Sequence, residues 1–487
     1  MALKGIPCIT IEGPSGRTKR VSRDFNGRLM SVENSNRSVQ TLDPVRSSRK
    51  FDDEYRARLT SATEAMGRVE NGSSVAMGLS PCHPPALLAA LADRGKAKDI
   101  EDVKVYYSVS GRHLRNTILR FEQLRRFRPY CWFYGATERE LATRARAEGR
   151  PNVVQYVPNF FFQIDRLLSQ HLTVDTFMTT VSPMDEDGNF SLGTNSDYSF
   201  LLSQSSKRIV LEVNRHMPRV GGPAQIHVSD VSAIVENHVP LEEFPSAAPK
   251  DLDPAVARNV VDLIGDGATL QMGIGSLPSV VCSFLNRHND LGIHTELLTP
   301  PMGKLMEAGV VNNRRKNLNP GKTVFTFALG DRNLYEFMND NPNIEGHPVS
   351  YVNDPRIIAQ QDRFVSINST LEIDLTGQCN SEHLNGYQYS GAGGQVDFVR
   401  GAYASREGKS CMVLHSTAAD GAVSRIVPKL HGPVTTSRMD THWVVTEHGA
   451  VNLKGKSEPE RMQALISIAA PQFHDELQYH ARKMRSA

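Results

Sequence analysis

The sequence predicts an α/β protein made of two tandem, duplicated domains. The chain has 487 residues, more than one hydrophobic core usually accommodates. Two sequence patterns also occur twice, in the same order and at nearly the same offset. Strands that alternate with helices form parallel sheets with helices on their faces. A duplicated unit of this kind therefore predicts two open α/β domains.

The first repeated pattern is a strand, a glycine loop and a helix. It reads "NGSSVAMGLSPCHPPALLAAL" at residues 71–91 and "GDGATLQMGIGSLPSVVCSFL" at residues 265–285. Each copy has two glycines six residues apart, the second being Gly78 or Gly273. An apolar strand, a tight loop and an apolar helix in this order predict the βα unit of a parallel sheet.

The second repeated pattern is a strand, a tight turn and a returning strand. It reads "VSPMDEDGNFSLG" at residues 181–193 and "LEIDLTGQCNSEHLNG" at residues 371–386. Both copies place an Asp three residues before a Gly, which favours a tight turn. The two patterns are offset by 195 and 189 residues, which supports duplication of a whole domain.

These repeats predict the domain boundaries. The first domain is expected at residues 51–250 and the second at residues 255–487, joined by "EEFPSAAPKDLDP", which has the composition of a linker. Residues 1–50 are expected to be a basic extension, because they carry ten Lys and Arg against four Asp and Glu. In paired α/β domains, ligands bind near the carboxyl ends of strands, often between the domains.

The composition bounds the class of protein. The net charge is +2, which does not favour a nucleic-acid partner. The basic stretch at 111–130 is expected to be a solvated helix face. No apolar run reaches the length of about 20 residues that spans a bilayer, so no membrane partner is expected. The six cysteines are scattered, which is typical of a cytoplasmic protein. The basic, acid-poor start also allows the mitochondrial matrix in a eukaryote.

Several familiar catalytic motifs are absent from the sequence. It has no GxSxG nucleophile elbow, no GxxxxGK[ST] phosphate loop, no GxGxxG opening a helix and no HExxH metal motif. No metal site and no permanently bound cofactor are therefore expected.

Two glycine-rich loops remain as candidates, "MGIGSLP" at 272–278 and "SGAGGQVDFVRGA" at 390–402. Glycine leaves its backbone N–H accessible, and two N–H groups aimed at one point make an oxyanion hole. Tight turns alone would equally explain each loop. Asn353 in "VSYVNDPRIIA" is either a helix N-cap or an amide donor.

One carboxylate interrupts an apolar segment. In "LGIHTELLTP", residues 291–300, Glu296 has no cation beside it in the sequence. An ionisable group in such a segment is costly to bury, and a functional reason for it is therefore sought.

Six ordered motifs resemble one family. They are "GIHTELLTP", "FALGDRNLYEFMNDNP", "VNDPRIIA", "EIDLTGQCNSE", "GAGGQVDFVRGA" and "VVTEHGAVNLKGKS". They resemble the acetyl-CoA hydrolase/transferase branch of the class I CoA-transferases, closest to the 4-hydroxybutyrate and butyrate CoA-transferases. The resemblance implies two open α/β domains of the CoA-transferase (NagB/RpiA-like) type, with the active site between them.

The resemblance also implies the chemistry. Glu296 is expected to be the nucleophile of a ping-pong transfer of CoA between an acyl-CoA and a small carboxylate, through an acyl-glutamyl anhydride and a glutamyl-CoA thioester. Its unperturbed pKa of about 4.3 predicts an ionised carboxylate at pH 7. The expected partners are the acyl-CoA, coenzyme A and the acid, with a second copy of the chain in a homodimer or larger oligomer.

Further site residues follow from the resemblance. Oxyanion donors are expected from the backbone N–H groups of Ile274 and Gly394 and from the side chain of Asn353. Glu447 is expected to orient Asn353 or a water, although a surface acid at a strand end is an alternative interpretation. The residues expected to bind substrate and CoA are Gly273, Gly275, Gly393, Gln395, Arg400, Lys454 and Lys456.

Alternative functions remain open. Water could replace the second acid, which would make the enzyme an acyl-CoA hydrolase, or the chain could be a non-catalytic binding protein for CoA metabolites. The acid pocket is expected near "GLSPCHPP", residues 78–85, where a Cys82–His83 catalytic pair is considered and disfavoured. Acetate, butyrate, 4-hydroxybutyrate, succinate and itaconate all remain candidate acids.

Overall fold

A computed structural model describes residues 9–12, 18–23, 29–31, 50–150, 153–273 and 275–485. Contacts divide the chain into two units, Met1–Ser48 and Arg49–Ala487. In the first unit, three antiparallel strands are described: β1 (Ile9–Glu12), β2 (Thr18–Arg23) and β3 (Leu29–Ser31). The sequence predicts only an irregular extension there, because polar and basic residues leave no clear apolar period.

The second unit holds two large sheets, and the first of them is entirely parallel. Its strands are β4 (Ser74–Ala76), β5 (Val103–Tyr107), β6 (Phe127–Cys131), β7 (Gln155–Tyr156), β8 (Thr176–Val181), β10 (Arg208–Val213) and β12 (Ala233–Glu236). A separate antiparallel pair is formed by β9 (Asn189–Ser191) and β11 (Gln225–His227). Strand β8 is buried at every position, as expected for a parallel strand covered on both faces.

The second sheet is parallel except for its last strand. Its strands are β13 (Thr269–Met272), β14 (Gly292–Leu298), β15 (Thr323–Ala328), β16 (Ile344–Gly346), β17 (Phe364–Ser369), β22 (Lys409–Val413), β26 (Trp443–Thr446) and the antiparallel β27 (Gly449–Asn452). Small ladders beside it are β18 (Glu372–Asp374), β19 (Cys379–Asn380), β20 (His383–Leu384), β21 (Tyr387–Gln388), β23 (Thr417–Ala418), β24 (Val423–Ser424) and β25 (Ile426–Val427).

Helices connect the strands in both sheets. The first sheet is accompanied by α1 (Asp52–Arg58), α2 (Ala62–Gly67), α3 (Pro85–Ala97), α4 (Arg112–Arg115), α5 (Ala136–Ala147), α6 (Ile164–Gln170) and α7 (Ser199–Ser205). The second is accompanied by α8 (Asp253–Val261), α9 (Ser276–Phe284), α10 (Pro300–Glu307), α11 (Arg332–Met338), α12 (Val349–Val352), α13 (Pro355–Ile358), α14 (Gln395–Ala404), α15 (Glu458–Ser467) and α16 (His474–Arg485).

The two sheets have the same strand order. From one edge, the first runs β7, β6, β5, β4, β8, β10, β12, and the second runs β16, β15, β14, β13, β17, β22, β26, β27. Strands β4 and β13, which carry the repeated glycine motif, occupy equivalent places. The predicted duplicated α/β fold is therefore confirmed. We refer to residues 51–250 as the first half and to residues 255–487 as the second half.

The strand register relates two particular residues of the halves. Continuing the parallel pairing of β4 with β5 brings Gly78 level with Ser108. Continuing the pairing of β13 with β14 brings Gly273 level with Glu296. Ser108 in the first half is therefore the topological counterpart of the carboxylate in the second half.

Two local predictions had different outcomes. The predicted hairpin at 371–386 is confirmed, since β18 and β19 pair antiparallel around a turn in which Gly377 has a φ of +98°. The predicted helix at 111–130 is wrong. Only Arg112–Arg115 is α-helical, and Phe127 already begins strand β6. The apolar side chains that suggested a helical face are buried in the core instead.

Candidate active site

Glu296 lies on β14, with its carboxyl group in a cavity of about 300 Å³. Residues of both halves line this cavity. From the first half they are Leu79, Ser108, Val109, Trp132, Phe133, Asn159 and Phe161, and from the second half they include Gln271, Gly273, Leu297, Phe327, Asn368, Ser381, Gly393, Gly394 and Arg425. The cavity therefore matches the predicted site between two α/β halves.

Two hydrogen-bond donors contact the Glu296 carboxyl group. The Nδ2 of Asn353 donates to Oε2 over 2.6 Å. The backbone N–H of Gly394, at the N-terminus of α14, donates to the same carboxyl group. Asn353 is fully buried at the end of the short helix α12, where its amide is one of few groups that can satisfy a buried carboxylate.

The glycine loop approaches Glu296 so closely that side chains would not fit. A Cβ added at Gly394 would overlap Glu296 Oε2 and Asn353 Nδ2. At Gly393, where φ is +51°, an added Cβ would lie 3.5 Å from Glu296 Oε1. The predicted oxyanion loop therefore contacts the predicted nucleophile. Glycine is needed at position 394 because no side chain fits there, and it is favoured at position 393 by the positive φ.

A histidine on the same strand holds the segment that carries Asn353. The Nε2 of His294 lies 2.8 Å from the carbonyl oxygen of Val352, and because a carbonyl only accepts, this nitrogen carries the hydrogen. Burial lowers the pKa of His294 to about 3, so the ring is neutral. His294 thus holds the backbone next to Asn353. Glu296, two residues further along the same strand, accepts a hydrogen bond from the Asn353 side-chain amide.

The expectation that Glu296 is ionised at pH 7 rests on an unperturbed pKa, and burial changes that pKa. Burial raises the pKa of Glu296 to about 7, although the hydrogen bonds from Asn353 and Gly394 lower it. Desolvation outweighs the hydrogen bonds because the cavity offers the carboxylate no cation in direct contact among the described residues. The carboxyl group of Glu296 therefore gains and loses its proton in the neutral pH range.

Asp397 is a buried carboxyl group that the sequence interpretation missed. It lies in the first turn of α14 and is 1% exposed. Its Oδ2 accepts hydrogen bonds from the backbone N–H of Phe162 (3.0 Å) and from Asn353 Nδ2 (3.3 Å). An Asp three residues after a helix-opening glycine is an ordinary helix feature, so nothing in its spacing indicated contact with Asn353.

Glu447 does not contact Asn353. It follows β26 and accepts hydrogen bonds from the backbone N–H of Ser416 (2.9 Å) and from the Ser416 hydroxyl (2.5 Å), and these bonds lower its pKa. The carboxyl group in contact with Asn353, other than Glu296, is that of Asp397. The expectation that Glu447 orients Asn353 is thus corrected, because β26 lies on the far side of β17 and β22 from β14. Its alternative role of orienting a water stays a prediction.

The basic residues expected to bind substrate and CoA are not part of the cavity lining. Arg400 forms a two-bond ion pair with Asp440, each bond 3.1 Å long. Lys454 donates to the carbonyl of Met439 and lies 3.9 Å from the centre of the Tyr403 ring. Lys456 is exposed.

The loop residues have different positions. Gly273 and Gln395 line the cavity, and Gln395 donates to the Thr436 hydroxyl over 2.8 Å. Gly275, with a φ of +125°, precedes α9 and is exposed. Ile274 lies outside the described residues.

The loop "GLSPCHPP" contributes only Leu79 to the cavity lining. Cys82 and His83 are buried behind it. The Cys82 thiol donates to the carbonyl of Leu79 over 2.8 Å, and burial raises its pKa, while burial lowers the pKa of His83 to about 3. A raised thiol pKa is unsuited to a nucleophile at neutral pH.

Arg425 is the one cationic residue among the described residues that line the cavity. Its guanidinium donates to the carbonyl oxygens of Leu371 and Thr370, and burial lowers its pKa. No sequence motif distinguishes it from the other Lys and Arg among the 55 of the chain.

Neither a metal centre nor a membrane span is found in the described part of the chain. Within those residues, no group of three or more His, Cys, Asp or Glu side chains is placed to hold a metal ion. Across the same residues, every helix is too short or too polar to cross a bilayer.

Known proteins match the chain along most of its length. Residues 43–242 match the acetyl-CoA hydrolase/transferase N-terminal domain and residues 330–481 match the C-terminal domain. The chain is 41% identical to succinyl-CoA:cyclohexane-1-carboxylate CoA transferase of Geobacter metallireducens, over 90% of this chain and 98% of that one. It is 40% identical to 4-hydroxybutyrate coenzyme A transferase of Clostridium kluyveri, over 89% and 99%. The crystal structure of RipA from Yersinia pestis superposes with a TM-score of 0.86 at 51% identity, covering 90% and 99%.

Fold, site and these similarities together define an enzyme of the CoA-transferase class. The chain belongs to the acetyl-CoA hydrolase/transferase family. The resemblance drawn from six short motifs is therefore confirmed.

Proposed function

We propose that the protein transfers CoA between an acyl-CoA and a small carboxylic acid by a ping-pong reaction in which Glu296 carries the CoA. The observation that carries this proposal is the contact of one partly buried carboxyl group with two N–H donors in a cavity between the halves. A carboxyl nucleophile conserves the energy of the thioester, because an anhydride and a thioester interconvert readily.

The reaction balances without any proton transfer. The Glu296 carboxylate attacks the acyl-CoA carbonyl and expels CoA thiolate, which leaves an acyl-glutamyl anhydride. The thiolate then attacks the glutamyl carbonyl and releases the first acid as its carboxylate, which leaves a glutamyl-CoA thioester. The second carboxylate attacks this thioester, expels the thiolate and forms a new anhydride. Attack of the thiolate on the new acyl carbonyl then releases the new acyl-CoA and restores Glu296.

The hydrogen bonds assign different roles to the two carboxyl oxygens of Glu296. Asn353 donates to Oε2, which leaves Oε1 as the attacking atom. When Oε1 forms the anhydride, Oε2 becomes the glutamyl carbonyl oxygen and carries negative charge each time that carbonyl is attacked. The N–H groups of Asn353 and Gly394 are placed to stabilise this charge, and the loss of one such donor typically costs about 3 kcal/mol.

The cavity supports the exchange of small acids. Its wall from the first half is largely apolar, through Leu79, Trp132 and Phe161, and suits a short acyl chain. Arg425 provides a positive charge in the same cavity, which would favour the entry of a carboxylate. The backbone N–H of Ile274 remains part of the proposal as a donor to the acyl oxygen.

The direct test of the reaction is a panel of acids with acetyl-CoA as donor. Acetate, butyrate, 4-hydroxybutyrate, succinate and itaconate are each supplied, and the new acyl-CoA is measured by mass spectrometry. At least one acid should yield its CoA thioester, with initial rates that form parallel lines in double-reciprocal plots. Intersecting lines would contradict a ping-pong order.

The hydrolase alternative is separated in the same assay. Acetyl-CoA alone should release acetate only to the extent of the enzyme present and should release no free CoA, because CoA stays on Glu296 as a thioester until an acid arrives. Continuous CoA release at a rate that the added acids do not change would favour hydrolysis.

Location, assembly and domain division complete the proposal. We infer a cytoplasmic enzyme, or a matrix enzyme if the source is eukaryotic, that works as a homodimer or larger oligomer. The inferred division is a basic extension at residues 1–50 followed by domains at 51–250 and 255–487. Sedimentation of the full chain would test the oligomeric state, and a mass equal to one chain would contradict it.

A further inference from the structure

Asn353 makes hydrogen bonds on only one side of its amide. Both bonds come from Nδ2, to Glu296 Oε2 at 2.6 Å and to Asp397 Oδ2 at 3.3 Å. Its Oδ1 is buried and has no hydrogen-bond partner among the described residues. The amide orientation is therefore determined entirely by the two carboxyl groups that accept from Nδ2.

The orientation of this amide matters for the reaction. If the amide turned over while both carboxyl groups are ionised, Oδ1 would face two carboxylate oxygens, and three acceptors would meet without a hydrogen between them. In the observed orientation, one hydrogen of Nδ2 points to each carboxyl group. Asp397 therefore supports the orientation in which an N–H, and not a carbonyl oxygen, faces Glu296.

The contribution of Asp397 grows during the catalytic cycle. In the free enzyme, the charge on Glu296 attracts the N–H by itself. Once Glu296 has become an anhydride or a thioester, its carbonyl oxygen is a neutral and weaker acceptor. Asp397 is then the acceptor that keeps Nδ2 facing the glutamyl carbonyl until the next attack.

Asp397 is itself firmly held. It is 1% exposed in the first turn of α14, and the backbone N–H of Phe162 donates to the same Oδ2 over 3.0 Å. Phe162 belongs to the first half, in the short 3₁₀ turn Phe161–Gln163. Through this bond, Phe162 of the first half holds the Asp397 side chain. Asp397 in turn holds the Asn353 amide in the second half.

Asp397 can accept these two hydrogen bonds whether or not its carboxyl group is ionised. Burial raises the pKa of Asp397, and the nearby charge of Glu296 raises it further. A neutral carboxyl group still offers a carbonyl oxygen to Phe162 and Asn353. The amide of an asparagine offers the same acceptor oxygen, so Asp397→Asn is a conservative substitution.

We propose that Asp397 is a positioning residue for CoA transfer, which acts by holding the Asn353 amide with its N–H toward Glu296. This inference rests on the proposed glutamyl transfer and adds one residue to it. Asp397 makes its hydrogen bonds with Phe162 and Asn353 and not with Glu296, so its positioning effect on turnover passes through Asn353.

The test is a double-mutant cycle on the full-length enzyme. Acetyl-CoA is the donor, and the acceptor is whichever of the five acids named above is transferred fastest. N353A should lower kcat about a hundredfold or more. D397A should lower kcat at least tenfold and leave the KM for acetyl-CoA within threefold. D397N, which keeps the acceptor oxygen, should stay within threefold of the wild-type kcat.

The decisive comparison is the double variant D397A/N353A. Without the amide, Asp397 has nothing to position, so the double variant should be no slower than N353A within threefold. Losses that multiply would overturn the inference, as would D397A with wild-type kcat or D397N as slow as D397A. If D397A does not fold, D397S takes its place in the same cycle.

Asp197 provides a matched control. It is a fully buried aspartate of the first half that accepts from an asparagine amide, Asn195 Nδ2 (3.2 Å), and from a backbone N–H, that of Ser199 (2.7 Å). Any effect of D197N on kcat should multiply with that of N353A. A wild-type rate for N353A would contradict the proposed function itself, whereas a slow N353A beside a fast D397A contradicts only the role of Asp397.

Discussion

The two halves of the molecule share one strand order but differ in chemistry. At the counterpart positions on β5 and β14, the first half has Ser108 and the second half has Glu296, and both line the same cavity. None of the described residues that the first half contributes to this lining is ionisable. The second half supplies Glu296, the proposed nucleophile, and the N–H groups that contact it. The first half supplies an apolar wall and, through the Phe162 N–H, one anchor for Asp397.

The two halves of a duplicated fold can therefore have different roles in one site. Burying a carboxylate costs free energy. In the second half, hydrogen bonds from the glycine loop and from the Asn353 amide offset part of this cost at Glu296. Ser108, the counterpart of Glu296 in the first half, only forms part of the cavity wall. This division can be tested position by position.

The largest expected effect separates Glu296 from its counterpart. Glu296→Ala should lower transfer on the order of 10⁴-fold or more, because it removes the carrier of CoA. Ser108→Ala should lower turnover less than tenfold, since Ser108 is only part of the wall. Steady-state rates of both variants measure the contrast, and equal losses would contradict the division of roles.

The next effect concerns the glycine loop of the second half. Gly394→Ala places a Cβ against Glu296 Oε2 and Asn353 Nδ2, so the carboxyl group must move from its donors. Turnover should fall about a hundredfold or more. Gly67→Ala in the first half meets no atom within 4 Å and should leave turnover unchanged. A G394A enzyme with wild-type kcat would show that this close approach is not needed.

The ionisation of Glu296 predicts the pH dependence. Protonation removes the nucleophile, so kcat/KM for the acyl-CoA should rise with pH and level off, with an apparent pKa of about 7. Because Asn353 lowers this pKa, N353A should shift the profile to higher pH. Gly67→Ala, in which the added Cβ meets no atom within 4 Å, should leave the profile in place. A profile flat from pH 5 to 9 would contradict the burial of the nucleophile.

The smallest expected effect lies in the apolar wall. Leu79→Ala enlarges the cavity on the side of the first half. The preference between acids that differ by one methylene should shift toward the longer acid by about 1–3 kcal/mol. Ratios of kcat/KM for acetate, butyrate and other short acids measure it. An unchanged ratio would place the acid elsewhere in the cavity.

Much of the fold was predictable because duplication leaves a repeated pattern. Two motifs at similar offsets were sufficient to predict two equivalent sheets. Glu296, Asn353, Gly393 and Gly394 were found through family motifs, and contact brings them together. The helix at 111–130 was predicted wrongly because its apolar residues are buried by a short helix, a turn and a 3₁₀ helix at spacings that also fit one continuous helix.

Other features depend on distances that the sequence does not contain. Asp397 matters because α14 turns it toward Asn353, and no local spacing specifies that contact. The pKa of Glu296 depends on how much water the cavity excludes. Glu447 was assigned to Asn353 or a water on resemblance alone, and the sheet order separates β26, which precedes Glu447, from β14, which carries Glu296.

The central claim is that Glu296 carries CoA covalently during transfer. The enzyme is incubated with acetyl-CoA without an acceptor acid, digested, and its peptides are analysed by mass spectrometry. The peptide that contains Glu296 should gain the mass of CoA less one water, and borohydride should remove the adduct by reduction of the thioester. An adduct on another residue, or continued transfer by Glu296→Ala, would contradict the claim.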